Sequence, residues 1–203
     1  MDVDCIAFTG STRVGKQIHV MAGQSNLKRA WTELGGKSPN IVFADCPDLD
    51  KAVEAAVGSI FFNQGESCNA PSRLFVEANI REQFLEKAVA LAPGFAPADP
   101  LDSATVMGAI VDKTQMETVL RYVESGKQEG ASLLYGGEQA LLDSGGCYVQ
   151  PTIFAGVTSD MTIAREEIFG PVLSVLSFSD AADVVRQANH SVYGLQAAVW
   201  TRD

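Results

Sequence analysis

The sequence predicts an α/β protein with a largely parallel sheet covered by helices. Three observations carry this. Short β-rich runs alternate with amphipathic helical patterns along the chain. Helical patterns open on residues suited to a helix N-terminus, as Pro47-Asp48-Leu49-Asp50 does, where acidic side chains favour the dipole. Stretches rich in Pro and Gly, namely Pro93-Gly94 with residues 95–101 and residues 142–146, read as surface connections.

Taken in order, Cys5-Ile-Ala-Phe-Thr9 reads as a strand, followed by Gly10-Ser-Thr-Arg-Val-Gly15 and a helical stretch to about Gly23. Residues 40–44 form the next strand, and the helix opened at Asp48 runs towards Phe62. A strand at residues 73–77 and a helix at 80–91 follow, then a long helix from Asp112 to about Gly126. Strands are expected at residues 132–135, 152–154, 172–178 and 196–201, with a helix at 181–188. The chain stops at Trp200-Thr-Arg-Asp203, directly after a strand pattern.

Bulk properties narrow the function. The 203 residues hold 46% apolar and 20% charged residues, the composition of an ordinary globular protein. No apolar run approaches the ~20 residues of a membrane span, and the N-terminal residues lack the basic flank and apolar stretch of a signal peptide. A cytoplasmic setting is therefore expected. The formal charge of −10 argues against nucleic acid and anionic membrane surfaces as partners. Four scattered cysteines and two histidines form no metal-ligand spacing, so no metal is expected.

Four stretches stand out. In Phe61-Phe-Asn-Gln-Gly-Glu-Ser-Cys68-Asn-Ala-Pro-Ser-Arg73, a helix closes and a thiol follows a glycine turn before the next strand. Partial access and nearby backbone N–H groups favour a reactive thiolate there, although a buried cysteine is the usual alternative. By contrast, Cys5 lies in an apolar strand pattern and is expected to be shielded. In Glu33-Leu-Gly-Gly-Lys-Ser-Pro-Asn40, a glutamate before paired glycines suggests a carboxylate at a strand end. One strand and one crossover helix lie between Glu33 and Cys68, enough to return the chain to a neighbouring site. A solvated strand-end glutamate is the plain alternative. Phe8-Thr-Gly-Ser-Thr-Arg-Val-Gly15 leads from a strand into a helix, where free N–H groups could hold a phosphate or merely make a turn. In Glu166-Glu167-Ile-Phe-Gly-Pro-Val172, adjacent acids precede an apolar turn and could grip a ribose diol or simply face solvent.

Together, in this order, the four stretches resemble the aldehyde dehydrogenase family over the whole chain. Lesser matches are Tyr148-Val-Gln-Pro-Thr152, Tyr193-Gly-Leu195 and Ala198-Val-Trp-Thr-Arg-Asp203. The resemblance implies a three-layer sandwich of the family's catalytic-domain type. It implies that Cys68 attacks an aldehyde to give a thiohemiacetal and then a thioester, and that Glu33 activates the hydrolytic water. It implies NAD or NADP as cofactor, with Gly10, Ser11 and Gly15 near the pyrophosphate. Glu167 would hold the nicotinamide ribose, with Gln115 also reaching a ribose and Phe169 packing beside the ring. Residues 1–33 would end the cofactor-binding domain, and 34–203 would form the catalytic domain short of its C-terminal end. Family members are considerably longer, so this segment alone is expected to show no turnover. The parent is expected to be a homodimer or homotetramer acting on a small-molecule aldehyde. Residues 40–49 and the chain's end are most similar to bacterial enzymes acting on γ-glutamyl-γ-aminobutyraldehyde and related amino-aldehydes. Glu66 and Pro71 depart from the family pattern, and Pro71 lacks an N–H. The rival readings are a CoA-acylating relative, which generally lacks the base that Glu33 supplies, and a non-catalytic descendant of the fold.

Overall fold

The computed structural model describes residues 2–203, and the chain divides into two compact units, Met1–Gly36 and Lys37–Asp203.

The first unit is a β-α-β element. Strand β1 (Cys5–Thr9) pairs in parallel with β2 (Arg29–Glu33), Cys5 opposite Arg29 and Thr9 opposite Glu33. Helix α1 (Thr12–Gln24) joins them, and Ser11 is its N-cap, accepting the Val14 N–H through Oγ at 3.3 Å. Alternation along β1 puts Ile6 and Phe8 on its half-buried face and leaves Cys5 exposed, so the expected shielding of that thiol does not hold. An apolar pattern with period two protects only one of its faces.

The second unit carries a six-stranded sheet. Its strands are β3 (Pro39–Val42), β4 (Arg73–Glu77), β5 (Ser132–Tyr135), β8 (Thr152–Ala155), β9 (Val172–Phe178) and β10 (Ala198–Trp200). They lie in the order β10-β3-β4-β9-β8-β5, parallel except where β5 meets β8. Strands β6 (Gln139–Ala140) and β7 (Tyr148–Val149) form a separate antiparallel ribbon whose tip lies in the stretch read as a surface connection.

Helices cover both faces. Helices α2 (Leu49–Phe61) and α3 (Arg81–Leu91) pack with Leu74, Val76, Leu173 and Val175 on one side. Helices α4 (Lys113–Gln128), the single turn α5 (Thr162–Arg165) and α6 (Ala181–Ala188) pack with Phe75, Val172, Leu176 and Phe178 on the other. The odd and even residues of the central strands thus feed two cores, which makes the three layers. Asp48, Asp112 and Asp180 cap α2, α4 and α6, each carboxylate accepting a backbone N–H three residues on. Among the described residues, no helix is long and apolar enough to cross a membrane.

Candidate active site

The thiol loop begins where α2 cannot continue. After Phe61 the chain makes a tight turn over Phe62–Gly65, in which Asn63, Gln64 and Gly65 have φ of 48°, 56° and 72°. Left-handed backbone at two non-glycine residues is strained and persists only when its surroundings hold it. Several bonds do so. The Asn63 amide donates to the Glu66 carbonyl at 2.9 Å. Gln64 Oε1 accepts the Gly108 N–H at 3.0 Å, and Glu66 Oε1 accepts the Val111 N–H at 3.2 Å. Residues 108–111 therefore brace the loop from outside. Burial pushes the Glu66 carboxyl above its usual range, with the Asp112 carboxylate adding to this and the Val111 bond opposing it.

Cys68 sits half-buried in the turn that follows, closed by the Ala70 N–H donating to the Ser67 carbonyl at 3.1 Å. The Ser67 hydroxyl donates to Asn69 at 2.6 Å, and the Asn69 amide reaches Gln196 at 3.0 Å. Backbone bonds here use the N–H groups of Ala70 and Ser72, so the missing N–H of Pro71 interrupts none of them.

Against this loop lies the segment carrying Glu167. Phe169 has φ 55° and is 38% exposed. Gln115, in the first turn of α4, donates its amide to the Ile168 and Phe169 carbonyls at 2.9 and 2.7 Å and so clamps the strained residue from below. A Cβ on Gly65 would lie 2.2 Å from the Gly170 carbonyl oxygen. Only glycine allows that approach, and it is the contact that brings the Cys68 loop and the Glu167–Phe169 segment together. Glu166 accepts the Tyr122 hydroxyl at 2.7 Å, and burial together with that bond pushes Tyr122 up to about 12. Burial also pushes the Tyr193 phenol up, with the Glu167 charge contributing.

In the first unit, Glu33 ends β2 with an exposed side chain, and its carbonyl accepts the Gly10 N–H at 3.1 Å. Glu33, Gly10 and Ser11 thus gather at one edge of the two-stranded sheet. Gly15 is buried one turn into α1, where a Cβ would meet Leu34 Cδ2 at 2.3 Å, so it serves close packing. The sequence reading missed Lys37 and Arg73 as buried charges, Arg73 opening the inner strand β4 and Lys37 lying just before β3. A lysine amid Gly, Ser and Pro gives no periodic signal of burial.

A thiol on a strained turn, braced against a carboxylate-bearing segment beside a mostly parallel sheet, defines an α/β protein with a candidate nucleophile. The model of the aldehyde dehydrogenase family matches residues 1–203, and the chain belongs to that family. It is similar to the mitochondrial aldehyde dehydrogenase of Homo sapiens, 52% identical over 202 residues, covering 100% of this chain and 38% of that protein. The gamma-glutamyl-gamma-aminobutyraldehyde dehydrogenase of Burkholderia cenocepacia J2315 superposes with a TM-score of 0.97 at 58% identity, covering 100% of this chain and 41% of that one. The indole-3-acetaldehyde dehydrogenase of P. syringae, solved with NAD+ and IAA, superposes at 0.99 with 54% identity, again over 100% of this chain and 41% of that one. The chain therefore spans about two fifths of the length of these relatives.

Proposed function

We propose that the protein oxidises an aldehyde to its carboxylate with NAD or NADP, and that Cys68 and Glu33 are its nucleophile and base. The single observation that supports this best is the braced, half-exposed Cys68 turn in a chain of this family. The residues suit a nicotinamide dinucleotide. The N-terminus of α1 carries no acidic residue in its first turn and presents Gly10 and Ser11, as an anion site requires. Glu167 offers a carboxylate for a ribose diol beside the exposed Phe169 ring, above the Gln115 clamp.

Cys68 adds through sulfur to the aldehyde carbon and forms a C–S bond, the carbonyl oxygen becoming the thiohemiacetal hydroxyl. The bound nicotinamide would supply the hydride acceptor that converts this adduct into a thioester. Glu33 then takes a proton from water, whose oxygen attacks the acyl carbon and expels the Cys68 thiolate. Among aldehydes we place amino-aldehydes first, in line with the 58% identity to the Burkholderia enzyme.

Glu33→Gln in the protein that carries this chain tests the assignment. A burst of reduced cofactor followed by a steady rate lowered on the order of 10²-fold is expected, because the carboxylate acts chiefly after hydride loss. Equal loss of burst and steady rate would remove Glu33 from the hydrolytic step.

A further inference from the structure

One helix end holds both the thiol turn and the Phe169 segment. Asp112 caps α4 by accepting the Gln115 N–H at 2.8 Å, and Gln115 donates in turn to the Ile168 and Phe169 carbonyls. Val111, the residue before that cap, donates its N–H to Glu66 Oε1 at 3.2 Å. Helix α4 is itself fixed, with Met116, Val119 and Val123 buried in the core beneath it. The strained stretch over Asn63–Gly65 is therefore tied at both ends to this rigid element. Gln64 ties its entry to Gly108, and Glu66 ties its exit to Val111, two residues before Cys68.

The amide oxygen of a glutamine could accept the same N–H. Partial burial disfavours a carboxylate here, and Asp112, the charged group that acts on it from the end of α4, adds to this; the Val111 bond and the Gln64 side chain favour it. What the charge adds is strength, since a hydrogen bond to an ionised acceptor is about twice as strong as a neutral one. We infer that Glu66 is a positioning residue for Cys68, its ionised carboxylate drawing the exit of the thiol turn onto the end of α4 and so holding the thiol in its reactive setting. The inference rests on the reading of Cys68 as the nucleophile. Protonation of Glu66 removes the charge that strengthens the bond, and the turn then relaxes.

The experiment follows the reaction of 2,2′-dithiodipyridine with each cysteine of this chain by peptide mapping, from about pH 5 to about pH 7. It compares wild type, Glu66→Gln and Glu66→Leu, with melting temperatures measured alongside. A thiol that reacts as its thiolate quickens about tenfold per pH unit on the acid side of its ionisation. In wild type, Cys68 is expected to climb more steeply than the exposed Cys5, because Glu66 ionises above the ordinary 4.5 and tightens the turn as it does so. In Glu66→Gln the two cysteines should climb in parallel. At the upper end of the range, Cys68 should react about threefold more slowly in Glu66→Gln and about tenfold more slowly in Glu66→Leu, with Cys5 unchanged. A shallower climb of Cys68 in wild type would overturn the inference, because the carboxylate would then act on the thiolate as a repelling charge and not as a brace. So would an extra steepness that persists in Glu66→Gln, or a Glu66→Leu variant that reacts at the wild-type rate. If Glu66→Leu fails to fold, the slopes of wild type and Glu66→Gln decide alone. If Cys68 of wild type reacts no faster than Cys46 and Cys147, the nucleophile reading is the part that fails.

Discussion

At the scale of single residues, the four cysteines separate by surroundings rather than by sequence neighbours. Burial, with the Asp45 and Asp48 carboxylates adding to it, pushes the Cys46 thiol up and so slows its thiolate chemistry. Cys5 is exposed and becomes the real competitor of Cys68. Iodoacetamide labelling with peptide mapping should find Cys68 modified first. An added aldehyde should slow labelling of Cys68 and leave Cys5 unchanged. Protection of Cys5, or none at Cys68, would remove Cys68 as the nucleophile. Lys37 gives a second measurement. Its folded value of about 7 lies below the ordinary 10.5, so the unfolded chain binds the extra proton between those limits. The penalty is complete below pH 7 and fades as pH rises towards 10.5. Urea midpoints should show Lys37→Met more stable than wild type by a few kcal/mol below pH 7, the gap closing on the alkaline side. A gap independent of pH would mean that the amine is not buried in the charged form.

At the scale of elements, the turn between α2 and Cys68 is held by contact with a distant loop. Gly65→Ala adds a methyl carbon 2.2 Å from the Gly170 oxygen at a φ of +72°. A loss of roughly 2–4 kcal/mol is expected, with slower alkylation of Cys68. Gly130→Ala, at φ +94° with open space around it, is the control and should cost only the backbone strain, about 1 kcal/mol. Equal denaturation midpoints for the two variants would show that the approach to Gly170 is soft. The same contrast shows what was legible beforehand. Strands β4, β5 and β9 and helix α6 fall where the apolar pattern puts them, because each carries enough residues for its period to show. The two-residue strands β6 and β7 and the four-residue α5 are too short to carry a period and were missed. The Cys68 turn could be read from its glycine, but its braces could not. Gln64, Glu66 and Gln115 bond to backbone groups 44, 45 and 53 residues away, and no local pattern records such bonds.

At the scale of the whole molecule, the fold class was legible because a parallel sheet needs a covering helix between strands, and that alternation is written along the entire chain. Arg73, buried at the start of β4, donates to the carbonyls of Lys37, Gln187 and Ala188, and this clamp has a consequence in time. Its bonds join positions 36, 114 and 115 residues apart, so it can close only after β3, β4, β9 and α6 have come together. Contacts that depend on so much prior assembly form late and contribute little to the folding transition state. Arg73→Met should therefore leave the refolding rate of this chain nearly unchanged and speed its unfolding severalfold, seen as a raised right arm of the chevron with the left arm in place. Slower refolding would make Arg73 part of the nucleus. On the expected outcome, one guanidinium acts as a latch on the lifetime of the native state, setting how seldom the chain opens and leaving how quickly it forms to the sheet.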